Sequence, residues 1–261
     1  MAYTGTRSCA RSRLWSPRDL KNSLYAWYDA ADLSTITLSA GKVSSWADKS
    51  INANSVTQTN SAQQPYPSLG AVNGNNVISF NGVSGLKGSS NAGLLSGSAD
   101  STWFIVSQLT TVTSSTSVAA GYGGNAVAAL RGLIGSSVNG YIILWQYGSG
   151  DYISSLRWPS SFTIVGGSLN QGTGSVFTNG NFIGSKSISP FTGTSLPMSI
   201  GFASASNDQY WNGTIGEIIF ASGTISLQQR QVTEGYLAWK WGLQNNLPQN
   251  HQYRSQPPRL S

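Results

Sequence analysis

The sequence predicts an all-β chain folded as one antiparallel β-sandwich of the jelly-roll kind, completed by one C-terminal amphipathic helix. Short runs rich in β-branched and aromatic residues recur at sandwich-like intervals, with turn residues between them. Asn-Gly pairs punctuate these runs at Asn73-Gly74, Asn81-Gly82, Asn139-Gly140, Asn179-Gly180 and Asn212-Gly213. Both residue types tolerate the positive φ that a type I′ hairpin turn demands. No helical period separates the runs, which excludes a parallel sheet built from βαβ units.

In order, strands are expected over 77–80, 102–109, 141–147, 162–168, 198–202 and 214–221. The clearest hairpin joins 175–178 to 181–184 through Asn179-Gly180. The Asn212-Gly213 pair is expected to be another hairpin turn. The Ser/Thr-rich stretch 109–117 and the Gly-rich stretch 121–124 are expected as loops, or as edge strands of poorly specified register. Strand 141–147 is apolar on both alternating faces, so both are expected to be covered.

A helix is expected over 227–241. Ser226 and Gln229 form a capping box, Gly242 suits the left-handed C-terminal position, and Pro248 prevents continuation. Val232, Tyr236, Trp239 and Leu243 share one face, which is expected to pack on the sandwich. Leu237 and Trp241 form a second apolar strip, expected to lie under a loop or the N-terminal segment.

Hydrophobic residues make up 39% of the 261 positions and charged residues only 9%, against about 25% charged in ordinary soluble domains. The surface is therefore built from Ser, Thr, Asn, Gln and Gly, and discourages association only weakly. The net charge of +6 sits at the ends. Arg7, Arg11, Arg13, Arg18 and Lys21 face only Asp19, and Arg254 and Arg259 lie in the tail. Between residues 22 and 253, eight basic residues balance eight acidic ones. The expected organisation is a basic arm over 1–21, a sandwich over 22–250 and a tail over 251–261. Such an arm suits an acidic protein surface; nucleic acid is not expected.

Cys9 is the only cysteine, so no intrachain disulfide is expected. The start lacks an apolar core, so no signal peptide is expected, and no run approaches the roughly 20 apolar residues of a membrane span.

Glycosidases on such sandwiches use paired carboxylates, which on one strand must stand two or four residues apart to share a face. Glu217 stands alone in its strand and is expected to be a structural acceptor near the helix connection. His251 is the only histidine, which removes histidine triads and multi-histidine zinc sites. The 121–124 stretch lacks the Lys-Ser/Thr of a phosphate loop. Asp29, Asp32 and Asp48 form a weak Ca²⁺ candidate, but turn capping explains them better. No metal, no cofactor and no enzymatic activity are expected. Aromatic rings offer a different chemistry: Trp145, Tyr147, Tyr152, Trp158, Tyr210 and Trp211 are candidates for stacking on sugars or anchoring an interface. Trp27, Trp46 and Trp103 are assigned to the core.

Three stretches carry a resemblance. One comprises Leu14-Trp-Ser-Pro-Arg-Asp-Leu20, Leu24-Tyr-Ala-Trp-Tyr-Asp-Ala-Ala-Asp-Leu33, Val43-Ser-Ser-Trp-Ala-Asp-Lys-Ser50 and Val77-Ile-Ser-Phe-Asn-Gly82. Another is the Asn179-Gly180 hairpin. The last runs Tyr210-Trp-Asn-Gly-Thr-Ile-Gly-Glu-Ile-Ile-Phe220, Glu234-Gly-Tyr-Leu-Ala-Trp-Lys-Trp-Gly-Leu243 and Leu247-Pro248. Together they resemble the concanavalin A-like, laminin-G-type, lectin-like jelly-roll modules of phage virion and bacterial surface proteins. The resemblance implies a non-enzymatic bacteriophage virion surface protein, made in the host cytoplasm, above all a capsid decoration or cement protein. Arg7, Arg11, Arg13 and Arg18 would grip carboxylates of the major capsid or other virion proteins, in a symmetric homo-oligomeric assembly. The alternative is a carbohydrate-binding tail or receptor-recognition module that takes a host surface glycan.

Overall fold

In the computed structural model, residues 13–89, 95, 99–112, 116–123, 130–136, 139–145, 151–188, 196–203 and 208–260 are described. In chain order the strands are β1 (Leu24–Asp29), β2 (Ile36–Ser39), β3 (Lys42–Trp46), β4 (Val56–Thr57), β5 (Tyr66–Val72), β6 (Asn75–Asn81), β7 (Leu86–Gly88) and β8 (Ser101–Val112). There follow β9 (Thr116–Gly123), β10 (Leu130–Ser136), β11 (Tyr141–Trp145), β12 (Tyr152–Arg157), β13 (Thr163–Asn170), β14 (Thr173–Thr178), β15 (Asn181–Ser187), β16 (Leu196–Ile200) and β17 (Trp211–Ser222). Helix α1 (Leu227–Trp241) comes last. The first sheet runs β15-β14-β13-β8-β17-β6-β5, with β1 added on the second half of β17. The second runs β12-β11-β10-β9-β16-β7-β4-β3-β2. All of these pairings are antiparallel.

At its centre the first sheet is covered on both faces. Trp103 and Ile105 of β8 enter the core between the sheets, while Phe104 and Val106 join Leu237, Ala238 and Trp241 of α1 on the outside. A strand between two apolar layers needs apolar groups at successive positions, which is why 102–109 lacks alternation. In β11, Ile142 and Leu144 lie in the main core, and Ile143 joins Val118 and Ala203 in a smaller cluster.

Turn chemistry holds at two pairs. Asn179 and Gly180 have φ 45° and 81°, and Asn73 and Gly74 have φ 48° and 73°. Asn212-Gly213 does not form a turn. It lies inside β17, where the register against β8 shifts in a bulge, and a Cβ at Gly213 would overlap the Gln108 carbonyl oxygen. The loops or edge strands expected over 109–117 and 121–124 are also corrected where the residues are described, since 113–115 and 124 lie outside them. β8 continues to Val112, and β9 lies inside the second sheet with every residue after Thr116 buried. Its Ser, Ala and Gly residues resemble loop composition, but a strand hemmed in on both faces has room for little else.

The helix has the expected bounds. Ser226 Oγ accepts from Gln229 N at 3.2 Å, Gln229 Oε1 accepts from Ser226 N at 2.9 Å, and Gly242 takes φ 73°. Its faces are the reverse of the expectation. Leu237, Ala238 and Trp241 bury against the sheet. Val232, Tyr236 and Trp239 are half-buried and turn toward the chain ends. Trp15 packs edge-on against Tyr236 at 5.6 Å, and Trp239 Nε1 donates to Tyr253 O at 2.8 Å.

The ends form a third layer. Trp15 N donates to Pro258 O at 3.0 Å, Leu260 N donates to Arg13 O at 2.8 Å, and Leu14 bridges Arg259. Trp15, Pro17, Leu20 and His251 are buried. Of the expected arm and tail, residues 13–21 and 251–260 are therefore packed parts of the sandwich. No helix among the described residues is long and apolar enough to cross a membrane.

Candidate functional site

The lone Glu217 is the acceptor hub of the helix–sheet joint. Its side chain is fully buried. Oε1 accepts the Trp27 indole N–H at 2.7 Å and the Tyr236 hydroxyl at 3.0 Å. Oε2 accepts the Trp241 indole N–H at 2.8 Å and lies 2.8 Å from Lys240 Nζ. Burial pushes the Glu217 carboxyl pKa up, the Lys240 ammonium pulls it down, and the Asp29 charge adds to the rise. Burial, then the Glu217 and Asp29 charges, push the Tyr236 hydroxyl well above its ordinary range, so it stays protonated as a donor.

The three aspartates accept from turn and backbone N–H groups, and Asp29 and Asp32 also pair with lysines. Asp29 Oδ1 accepts Ala31 N at 3.1 Å and faces Lys240 Nζ at 2.6 Å, while Oδ2 faces Lys49 Nζ at 2.9 Å. Asp32 Oδ1 accepts Ser34 N, and its Oδ2 pairs with Lys49 at 2.8 Å. Lys49, then Ser34, hold the Asp32 carboxyl at a pKa of about 2. Asp48 accepts Trp27 N, Ser50 N and Asn54 N at 2.8, 2.8 and 2.9 Å. Donors thus occupy the places a calcium ion would need. Among the described residues no group of three His, Cys, Asp or Glu side chains could hold a metal ion.

Three of the six candidate aromatics are core. Trp211 is fully buried and meets Trp158, 5% exposed, edge-on at 4.9 Å; Tyr152 joins the same cluster. Their expected role at sugars is corrected, since these rings have no free face. Tyr210 is half-buried, takes a hydrogen bond from Gln63 Nε2 at 3.1 Å and stacks on Phe202 at 5.7 Å. Tyr147 and the Trp145 side chain lie outside the described residues, as do Arg7, Cys9 and Arg11. Arg13 pairs with Asp19 at 2.6 Å, and the Arg18 guanidinium lies over Trp27 at 5.7 Å.

A groove of about 510 Å³ lies on the outer face of the first sheet, beside the start of α1. Under the helix this face is apolar, as at Ile164 and Phe104. Beyond it the same alternation presents Thr102, Ser168, Asn170 and Ser175 to the groove. Register aligns them: Thr102 pairs with Ser168, Ser168 with Ser175, and Ser175 with Ser185. The result is a row of hydroxyls at the interstrand spacing of about 4.8 Å, open at Ser168, Ser175 and Ser185 and closed at the buried Thr102, whose hydroxyl donates to Gly223 O at 3.4 Å. A parallel row carries Phe177 and its partner Phe182, which is 59% exposed. Arg230 lies over Phe177 at 4.2 Å and donates to Glu234 at 2.9 Å. Asp100 ties the rims together, accepting Gln171 N at 2.7 Å and the Thr224 hydroxyl at 3.1 Å. The sequence carries one trace of this site, the polar Ser168, Asn170, Thr173 and Ser175 on either side of a turn, between the two strands expected there.

No protein-family model and no curated protein sequence matches the chain. Solved structures do. Domain 4 of a GH43 extracellular arabinanase from Geobacillus stearothermophilus, in complex with arabinotriose, is 20% identical over 79% of this chain and 96% of that one, with TM-score 0.55. A GH54 α-L-arabinofuranosidase soaked with a cyclic sulfate inhibitor is 15% identical over 84% of this chain and 64% of that one, with TM-score 0.60. A Trypanosoma rangeli sialidase in complex with sialic acid is 14% identical over 84% of this chain and 33% of that one, with TM-score 0.57. This chain thus spans nearly all of the arabinanase domain, but under two thirds of the arabinofuranosidase and about a third of the sialidase. These likenesses correct the expectation that catalysis is excluded, because the sandwich occurs in chains named as an arabinanase, an arabinofuranosidase and a sialidase. The expectation rested on the absence of paired acids along one strand; the fold also brings acids together between strands, with Asp29 of β1 opposite Glu217 of β17, where both are paired with Lys240. The chain is an all-β sandwich of the fold seen in these carbohydrate-related structures.

Proposed function

We propose that this chain binds carbohydrate, with an oligosaccharide lying across β13, β14 and β15 on the outer face of the first sheet. The hydroxyl row Ser168–Ser175–Ser185 carries this reading. Sugars are recognised by many neutral donors and acceptors beside an apolar face, and the row supplies the first while Phe182 supplies the second. The likeness to an arabinanase domain solved with arabinotriose supports the same reading. Glycan-array binding by the wild-type chain and by Phe182→Ala tests it. Loss of a wild-type signal in the variant is expected; a blank array for the wild type overturns the reading.

A second proposal concerns location. The Leu14–Arg259 bridge brings the exposed Arg13 and Arg259 near one another, and the motifs resemble virion modules. In this reading the chain is a virion surface protein, its basic ends on acidic capsid or other virion subunits and its groove turned to host glycans. Deleting residues 1–12 leaves the packed Trp15 and Leu20 in place and is expected to weaken attachment to particles; full occupancy by the deletion variant counts against it.

A further inference from the structure

Lys240 stands between two carboxylates from adjacent strands. Asp29 and Glu217 are register partners in the β1–β17 ladder. Lys240 Nζ lies 2.6 Å from Asp29 Oδ1 and 2.8 Å from Glu217 Oε2. The Asp29 side chain is 6% exposed, that of Glu217 fully buried, and that of Lys240 18% exposed. Aromatic rings wall the site: Nζ is 5.5 Å from the ring centroids of both Tyr236 and Trp241, and Trp27 closes the far side of Glu217.

Exposed ion pairs stay ion pairs because water solvates both charges. Here the ammonium and the two carboxylates are instead held in contact between aromatic walls, where little water competes for them. The reacting groups are also already in contact, the condition under which condensation becomes unimolecular. We infer that Lys240 and Asp29 are joined by an intramolecular isopeptide bond, with Glu217 as proton carrier.

The chemistry balances without a further reactant. Glu217 Oε2 takes a proton from the Lys240 ammonium and frees the Nζ lone pair. Nζ attacks Cγ of Asp29, and charge collects on Oδ2, which Lys49 holds at 2.9 Å. The tetrahedral centre collapses with loss of Oδ1, which leaves as water carrying two protons that began on Nζ. Ammonium and carboxylate become amide and water. Asp29 is the acceptor, because both Glu217 oxygens are held by indole N–H groups while Asp29 has Lys49 to take the developing charge. Lys49 is not the nucleophile, because its recorded partners are Asp29 and Asp32, and Glu217 is not among them. The partly exposed side of Lys240 gives the water a way out.

Intact-mass measurement of the purified full-length chain decides the question. The expected mass is one water below that of the sequence, and a digest should yield the Asp29 peptide linked to the Lys240 peptide. Asp29→Ala and Lys240→Ala should return to full mass, and so should Glu217→Gln. Since these variants also lose buried contacts, the wild-type result stands by itself. Full sequence mass, or a lost water with no linked peptide, overturns the inference.

Discussion

The indole N–H of Trp241 meets Glu217 Oε2 at 2.8 Å across the boundary between α1 and the first sheet. Every recorded partner of the Glu217 carboxylate is a donor, and two of them are indoles whose N–H cannot reverse. Glu217→Gln places an amide N–H against one of those indoles whichever way the amide turns. The expected cost is about 2–4 kcal/mol, read from urea unfolding followed by Trp fluorescence.

Asp32 gives the fold an acid limb. Its carboxyl is held at a pKa of about 2, against 3.8 unperturbed. A depressed carboxyl stabilises the fold above its unfolded value, and the contribution disappears as pH falls through about 2. The side chain is 34% exposed, so solvent screening limits the effect to under about 1 kcal/mol. Asp32→Asn is expected to flatten the wild-type loss of stability between pH 4 and 2, measured by thermal melts across that window.

Close packing at one glycine sets how near α1 can approach. A Cβ on Gly216 would stand 2.7 Å from Trp241 Cη2 and 2.9 Å from Phe162 Cζ. Gly216→Ala is therefore expected to lower stability by about 1–3 kcal/mol through overpacking, and calorimetry should show the drop without any change in ligand affinity.

The aromatic rings divide by burial. Trp158→Ala is expected to cost about 3–5 kcal/mol of stability, because the ring fills the core against Trp211. Phe182→Ala removes an exposed ring and should change stability by no more than about 0.5 kcal/mol. Chemical denaturation of both variants checks the contrast; an unfolding midpoint unchanged in Trp158→Ala contradicts the core assignment.

Local chemistry made much of the fold legible. The capping box at Ser226 and the left-handed Gly242 bounded α1 correctly, and Asn179-Gly180 marked a true hairpin. What local chemistry could not supply was the identity of each neighbour. Both apolar strips of α1 satisfy the helical period, and only the docking of Trp15 and Tyr253 decides which one faces the sheet. β9 was hidden because tight packing and loop flexibility both favour Ser, Ala and Gly. The pairing of Asp29 with Glu217 and the hydroxyl row of the groove depend on register between distant strands. No window along the sequence contains that register.

The groove reading is tested most directly by titrating the wild-type chain and Ser168→Trp with arabinotriose, sialic acid and neutral hexose oligosaccharides by calorimetry. Ser168 is half-buried in the hydroxyl row, so an indole there covers the row without entering the core. Saturable binding of at least one sugar by the wild type is expected, weakened at least about tenfold in the variant, or about 1.4 kcal/mol, with the melting temperature preserved. Equal affinity in the two proteins, or no saturable binding by the wild type, contradicts the account.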